Sequence, residues 1–457
     1  MADDNPALTA PASQSLGLQQ ELVTSRSLYK SRSNGLDPLD SLDNATQQSE
    51  LSPDETSTSS SREKDRYQVG WRFLVRNFTP SWFSVTMGTG IVSLLFITIP
   101  FKATWLYWLS VVFFILNTIL FIMAFVMSFL RYTLYPEIWS VMIADPNNSL
   151  FLGTIPMGFA MLVECWVLLC CPYWGEWATF VAWGAWMIDA IVALMITTGL
   201  SYILISQSEI KSLERITAAQ LLPVAATIVA AGTGAEVAGV LRDPDQAIAT
   251  LLVSYVLWGM ATPLAMTILV IYYSRLVLHK LPPREVIVSS FLPLGPLGMG
   301  GYTILFLGKV TREVLPKVEL LAHVSIAGDI VYILGIFLAL IMWGFGLTWL
   351  ILALLTIYSS GTFPFNMGWW GFTFPLGVFA ISTISFGVEF SSLFFKVLGT
   401  ILSIAVMVLW CVVAAGTARG AWSGKLFYAP CLKNLPKHQQ IDSKLASAKA
   451  ADNGRKA

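Results

Sequence analysis

Five prolines punctuate this chain at nearly even intervals, each inside an otherwise apolar segment. They are Thr79-Pro80-Ser81, Ile155-Pro156-Met157, Leu222-Pro223-Val224, Leu292-Pro293-Leu294 and Phe374-Pro375-Leu376. Successive spacings are 76, 67, 70 and 82 residues, and glycine follows each proline closely, at Gly88/Gly90, Gly158, Gly232/Gly234, Gly298/Gly300/Gly301 and Gly377. A period long enough for two hydrophobic segments predicts one helical hairpin repeated five times. Helix-breaking residues placed systematically in membrane segments belong where backbone lines a cavity, because lipid cannot satisfy freed amide and carbonyl groups. The period therefore predicts a pore or carrier.

The background supports a membrane protein. Of 457 residues, 55% are hydrophobic and only 12% charged, and the mean hydropathy is +0.65; soluble domains carry about twice that charge. Ten apolar spans are read at 80–99, 104–130, 150–171, 177–205, 217–241, 246–274, 287–308, 324–356, 364–388 and 394–416. The eighth is long enough to tilt, with Gly344/Gly346 marking an alternative break. The domain plan is a polar, disordered tail over 1–66, a ten-helix transporter domain over 67–420 and a C-terminal tail over 421–457. No apolar signal core follows Met1, so the first span must serve as its own signal.

Fifteen Lys/Arg residues flank the spans on the N-terminal side, among them Arg72, Arg76, Arg131, Arg275 and Arg419. Six lie opposite: Lys102, Arg242, Lys309, Arg312, Lys317 and Lys396. The imbalance predicts both termini in the cytosol. All five odd spans carry the proline–glycine signature; among the even spans only the sixth has an interior proline, Pro263. The simplest fold is all-α: ten transmembrane helices as five hairpins, with odd helices forming an inner pore ring and even helices an outer ring facing the lipid bilayer.

Several chemistries are excluded. Neither Gly308-Lys309 nor Gly424-Lys425 continues into a phosphate-binding loop, and no nucleophile elbow or zinc-protease helix is present. Three histidines (His279, His323, His438) leave no histidine metal site, and no cofactor is expected. The five cysteines offer no disulfide framework, and no basic cluster resembles a nucleic-acid surface. An enzyme is not indicated; transport is expected to run on gradients.

The odd spans hold hydroxyls and broken backbone without lysine or arginine in their interiors, which suits a small anion that must be released as easily as bound. Candidate pathway residues are Thr86, Thr89, Thr154, Pro156, Gly158, Pro223, Thr233, Pro296, Gly298, Thr303, Thr373, Pro375 and Gly377. Threonine in such helices also commonly bonds its own backbone. Intramembrane acids are functional hypotheses by default: Asp189, at mid-span, and Glu164 are candidates for proton coupling, Asp189 being open also to a structural pairing. Glu236, Asp329 and His323 lie nearer span ends and are read as interfacial. Trp369, Trp370, Phe372, Phe374 and Phe379 crowd the ninth span, and an aromatic beside the repeated proline can close a pore by dewetting it.

Leu150-Phe-Leu-Gly-Thr-Ile-Pro-Met-Gly158, Leu294-Gly-Pro-Leu-Gly-Met-Gly300, Trp370-Gly-Phe-Thr-Phe-Pro-Leu-Gly377 and Lys396-Val-Leu-Gly-Thr400, with Phe78-Thr79-Pro80 and Met87-Gly-Thr-Gly90, carry a resemblance over about 70–420. They resemble the tellurite-resistance/dicarboxylate transporter family, which includes malate permeases and plant slow anion channels, and within it the sulfite branch. The resemblance implies five hairpins around a central pore and a phenylalanine plug that falls on Phe374, with Phe372 close by. It further implies export of sulfite or bisulfite across the plasma membrane, protecting the cell, and trimers in some relatives. Malate or another dicarboxylate, and passive gated conduction, remain alternatives.

Overall fold

The computed structural model describes residues 70–207, 212–318, 320 and 324–435. The N-terminal tail over 1–66, Lys211, His323, Lys437 and His438 lie outside the described residues.

Among the described residues the chain is helical, without strands, and ten helices are long and apolar enough to cross a membrane. They are α1 (Phe83–Thr98), α2 (Thr104–Leu134), α3 (Thr154–Leu169), α4 (Glu176–Gln207), α5 (Leu221–Val240), α6 (Pro244–His279), α7 (Leu294–Val314), α8 (Ala327–Ser360), α9 (Thr373–Glu389) and α10 (Leu393–Trp422). α8 runs unbroken past Gly344 and Gly346, so the alternative break is not realised. α7 extends beyond its expected end to Val314 and so takes in Lys309 and Arg312.

Burial separates the two classes of helix. In the odd spans 67% to 100% of the apolar window is buried inside the protein, against 17% to 33% in the even spans. The cause is visible in the side chains. On α2 the buried positions Leu106, Ser110, Asn117, Ala124 and Arg131 form one stripe, and on α10 Gly399, Ser403, Val406, Val413 and Thr417 do the same. The remaining faces carry exposed Ile, Val, Phe and Trp, which only lipid covers comfortably.

The odd helices pack against one another in order, α1 on α3, α3 on α5, α5 on α7 and α7 on α9, and α9 returns to α1. A glycine sits at each of these five contacts, for α3 on α5 in the 3-10 turn that leads into α3. A Cβ at Gly158 would lie 2.4 Å from Thr86 Oγ1, at Gly153 2.6 Å from the Leu222 carbonyl, and at Gly232 2.4 Å from Met299. At Gly298 it would lie 2.7 Å from the Phe379 nitrogen, and at Gly377 2.4 Å from Ile91. The glycines beside the prolines are thus close crossing points, meeting a neighbouring side chain at Gly158, Gly232 and Gly377 and neighbouring backbone at Gly153 and Gly298.

The prolines themselves depart from expectation. They do not break helices at mid-span; each marks the place where a 3-10 turn becomes an α-helix. The turns are Pro80–Trp82, Ser149–Gly153, Ala218–Gln220, Arg284–Phe291 and Met367–Phe372. Pro156, Pro223, Pro296 and Pro375 each occupy the third residue of the following α-helix. There the missing N–H costs nothing, because first-turn amides have no helical partner. In the seventh span the equivalent residue is therefore Pro296, not Pro293, which precedes the helix.

Candidate functional site

A cavity of about 1440 Å³ opens where all five odd spans begin. Its inner wall takes Ser84 and Met87 from α1, Met157 from α3, Leu222 and Ala225 from α5, Pro296 from α7, and Phe374 and Pro375 from α9. Each inner helix thus supplies an apolar group. Toward the mouth the wall is completed by loop residues such as Asp145, Glu214 and Glu285 and by the end of α6.

Phe374 is 3% exposed and belongs to this wall. Its position is set by a pinned 3-10 turn. The Asn366 side chain accepts from Gly368 N (2.8 Å) and donates to the Glu285 carbonyl (2.8 Å). Trp370 Nε1 donates to Thr417 Oγ1 on α10 (3.0 Å), and the Thr373 hydroxyl donates to the Trp370 carbonyl (2.9 Å). Phe372 lies elsewhere: its ring packs edge-on against Phe291 at 5.0 Å and against Trp369 at 5.7 Å. Of the two candidate phenylalanines, only Phe374 lines the cavity.

The threonines are mostly committed to backbone. Thr86 donates to the Phe83 carbonyl, Thr89 to that of Val85, and Thr154 has the Phe151 and Pro80 carbonyls in reach. Thr89 also accepts from Trp410 Nε1 (3.1 Å). Thr303, fully buried, is different: its hydroxyl has no partner among the described residues. None of these threonines lines the cavity; Pro296, Phe374 and Pro375 are the candidate pathway residues that do.

Deeper in the inner helices lies a carboxyl cluster. Thr233 on α5 donates to Glu164 Oε1 on α3 at 2.8 Å, and Tyr302 on α7 donates to Glu236 Oε1 on α5 at 2.6 Å. Glu236 and Asp189 both lie within electrostatic range of Glu164. Asp189 falls on the inward stripe of α4, 1% exposed, and neither of its oxygens has a partner among the described residues. The structural pairing is therefore not what holds it. Glu236 corrects the interfacial reading, since it is 6% exposed and fixed by a tyrosine from the next inner helix. Distance from a span end, the only signal in the sequence, says nothing about Tyr302. Asp329 is half-exposed and paired with Arg312 (2.7 Å), as an interfacial residue should be. Lys309, in the extended part of α7, is neutralised by Glu389 at 2.7 Å. Among the described residues no group of His, Cys, Asp or Glu is placed to hold a metal ion.

Residues 427–435, assigned from sequence to the tail, lie against the body at the same end as the cavity mouth. Phe427 stacks on Trp82 at 5.0 Å, Ala429 N donates to Asn77 Oδ1 (3.3 Å), and buried Arg131 reaches Cys431 Sγ (3.7 Å).

Comparison with known proteins agrees with this architecture. The chain is 48% identical over 365 residues to the sulfite efflux pump SSU1 of Arthroderma benhamiae, covering 80% of this chain and 96% of that protein. It is 23% identical over 412 residues to the protein of the same name in Saccharomyces cerevisiae, covering 78% and 90%. Against the malic acid transport protein of Schizosaccharomyces pombe it is 21% identical over 343 residues, covering 74% and 76%. Residues 77–418, the whole ten-helix body but its last turn, match the SLAC1 family, described as voltage-dependent anion channel, and the chain belongs to that family.

Proposed function

We propose that this chain exports sulfite or bisulfite across the plasma membrane and so protects the cell that carries it, with the cavity and both chain ends in the cytosol. The observation that carries this reading is the 48% identity to a sulfite efflux pump across 96% of that pump's length. The orientation rests on the Lys/Arg imbalance between the two sides. Transport is the whole activity; no substrate bond is made or broken. The resemblance to family members that assemble as trimers makes a homo-oligomer the working state.

In this reading the five inner helices enclose the pathway. The anion enters the cavity, sheds water among Met87, Met157, Leu222, Pro296 and Phe374, and passes when Phe374 swings aside. Phe372 backs the gate from outside the cavity and does not form it. Further along α7 from Pro296, the Thr303 hydroxyl, without a partner among the described residues, is the candidate side-chain donor. Thr86, Thr89, Thr154 and Thr373 shape the wall, with Pro156, Pro223 and Pro375 opening its helices and Gly158, Gly298 and Gly377 closing their contacts. Asp189 and Glu164, joined by Glu236, carry protons: buried carboxyls without a cation beside them are held in the membrane most cheaply as acids.

A dicarboxylate permease is the second reading, favoured by the similarity to the malic acid transport protein. The test is expression in yeast lacking its own exporter, measuring sulfite tolerance and release beside malate uptake. Restored sulfite release is expected; malate uptake without sulfite release would sink the sulfite reading.

A further inference from the structure

Arg275 lies in the last turn of α6 and is only 4% exposed, yet it lines the cavity. Its Nε donates to the Glu214 carbonyl at 3.3 Å and its Nη1 to the Lys280 carbonyl at 2.5 Å. Both partners are neutral. The ion pairs among the described residues are Arg242–Glu176, Lys309–Glu389 and Arg312–Asp329, so this buried guanidinium has no carboxylate partner among the described residues. Its Nη2 has no hydrogen-bond partner among the described residues. A guanidinium carries five N–H donors and cannot shed its charge, and a buried charge without a counter-ion is costly until one arrives.

The other ionisable groups on the cavity wall do not compete for that role. Glu214, Arg215, His279 and Glu285 are exposed, where water and salt screen them. The Asp145 carboxylate is already occupied, accepting from Asn147 N (2.9 Å), Asn148 N (3.1 Å) and Asn148 Nδ2 (2.9 Å). Arg275 is thus the least screened free charge facing the space that leads to Phe374. Its two carbonyl tethers hold the guanidinium plane still, and a planar fork held still matches an oxyanion with two adjacent oxygens.

We propose that Arg275 is a capture site for the transported oxyanion, binding it in the cavity wall before it reaches the Phe374 gate. The proposal rests on the sulfite reading above. Separating capture from passage lets the pathway itself stay uncharged, so affinity is set at one place and release at another.

The experiment is sulfite flux into and out of proteoliposomes of neutral phosphatidylcholine containing the full chain, measured against sulfite concentration. Arg275→Gln is expected to raise the half-saturating concentration about tenfold, the worth of a charge-assisted hydrogen bond, while maximal flux is kept. Arg275→Lys, which retains charge but lacks the planar fork and cannot tether both carbonyls, should recover only part of the affinity. If both variants lose maximal flux and thermal stability with half-saturation unchanged, Arg275 is only a tether and the proposal falls. It falls equally if the shift appears only when phosphatidylserine is added, which would assign the site to a lipid headgroup. Should the wild type carry malate and not sulfite, the sulfite reading is lost, and the malate half-saturation of the same variants then judges Arg275.

Discussion

In the proposed function, gating turns on Phe374. Its side chain lines the inner wall of the cavity among mostly apolar neighbours, so removing it should let water and anions through. Phe374→Ala is expected to raise resting sulfite leak in proteoliposomes about tenfold, equivalent to ~1.4 kcal/mol of barrier, whereas Phe372→Ala should leave leak near wild type and lower thermal stability instead. Equal leak from both variants would remove the distinction. At Asp189, Asn keeps the shape and removes the proton. Asp189→Asn should flatten the pH dependence of flux while surface expression is retained; an unchanged pH profile would strike Asp189 from the proton route. The sequence made these two residues visible because one stands beside a repeated proline and the other is a lone acid in an apolar run. Glu236 and Arg275 were not visible in the same way. What matters for both is what another element brings, Tyr302 in one case and, among the described residues, no carboxylate in the other, and no one-dimensional pattern carries that.

All ten helices were legible, because twenty apolar positions in a row leave few alternatives, though their ends moved by up to nine residues. Their junctions were harder. A proline in an apolar run reads as a kink, since an interior proline removes a hydrogen bond and clashes with the preceding turn. Only the three-dimensional placement shows that Pro156, Pro223, Pro296 and Pro375 occupy the third helical residue, where neither penalty applies. The same placement moves the repeat in α7 from Pro293 to Pro296. Glycine carries the energetic load at these elements. Gly298→Ala would force a methyl into the Phe379 backbone, which cannot move aside as a flexible side chain can. We expect a loss of about 1–3 kcal/mol, read as a lowered thermal midpoint in detergent. Gly184→Ala on α4, where nothing lies within 4 Å of the added Cβ, is the matched control and should be neutral.

For the molecule as a whole, the alternation of buried and lipid-facing helices followed from the proline–glycine signature, which all five odd spans carry and the even spans do not. Which side of the membrane each loop occupies depends on the charge imbalance alone, and single cysteines test it. In a variant lacking native cysteines, Lys102→Cys should react with an impermeant thiol reagent added to intact cells, and Asn147→Cys should react only after permeabilisation. The reverse pattern would invert the orientation and turn the exporter reading into uptake. One property of the whole follows from the single cavity shared by the beginnings of all five odd spans. Helices that begin on one side run parallel, so their peptide dipoles add where those of an antiparallel bundle would cancel. Five positive helix ends converge around the space beneath Arg275, producing a standing field that contains no titratable group. The five even helices run the other way, so the molecule as a whole has little net axial dipole; the attraction for anions is local to the cavity where the five positive ends meet, and it holds at any pH.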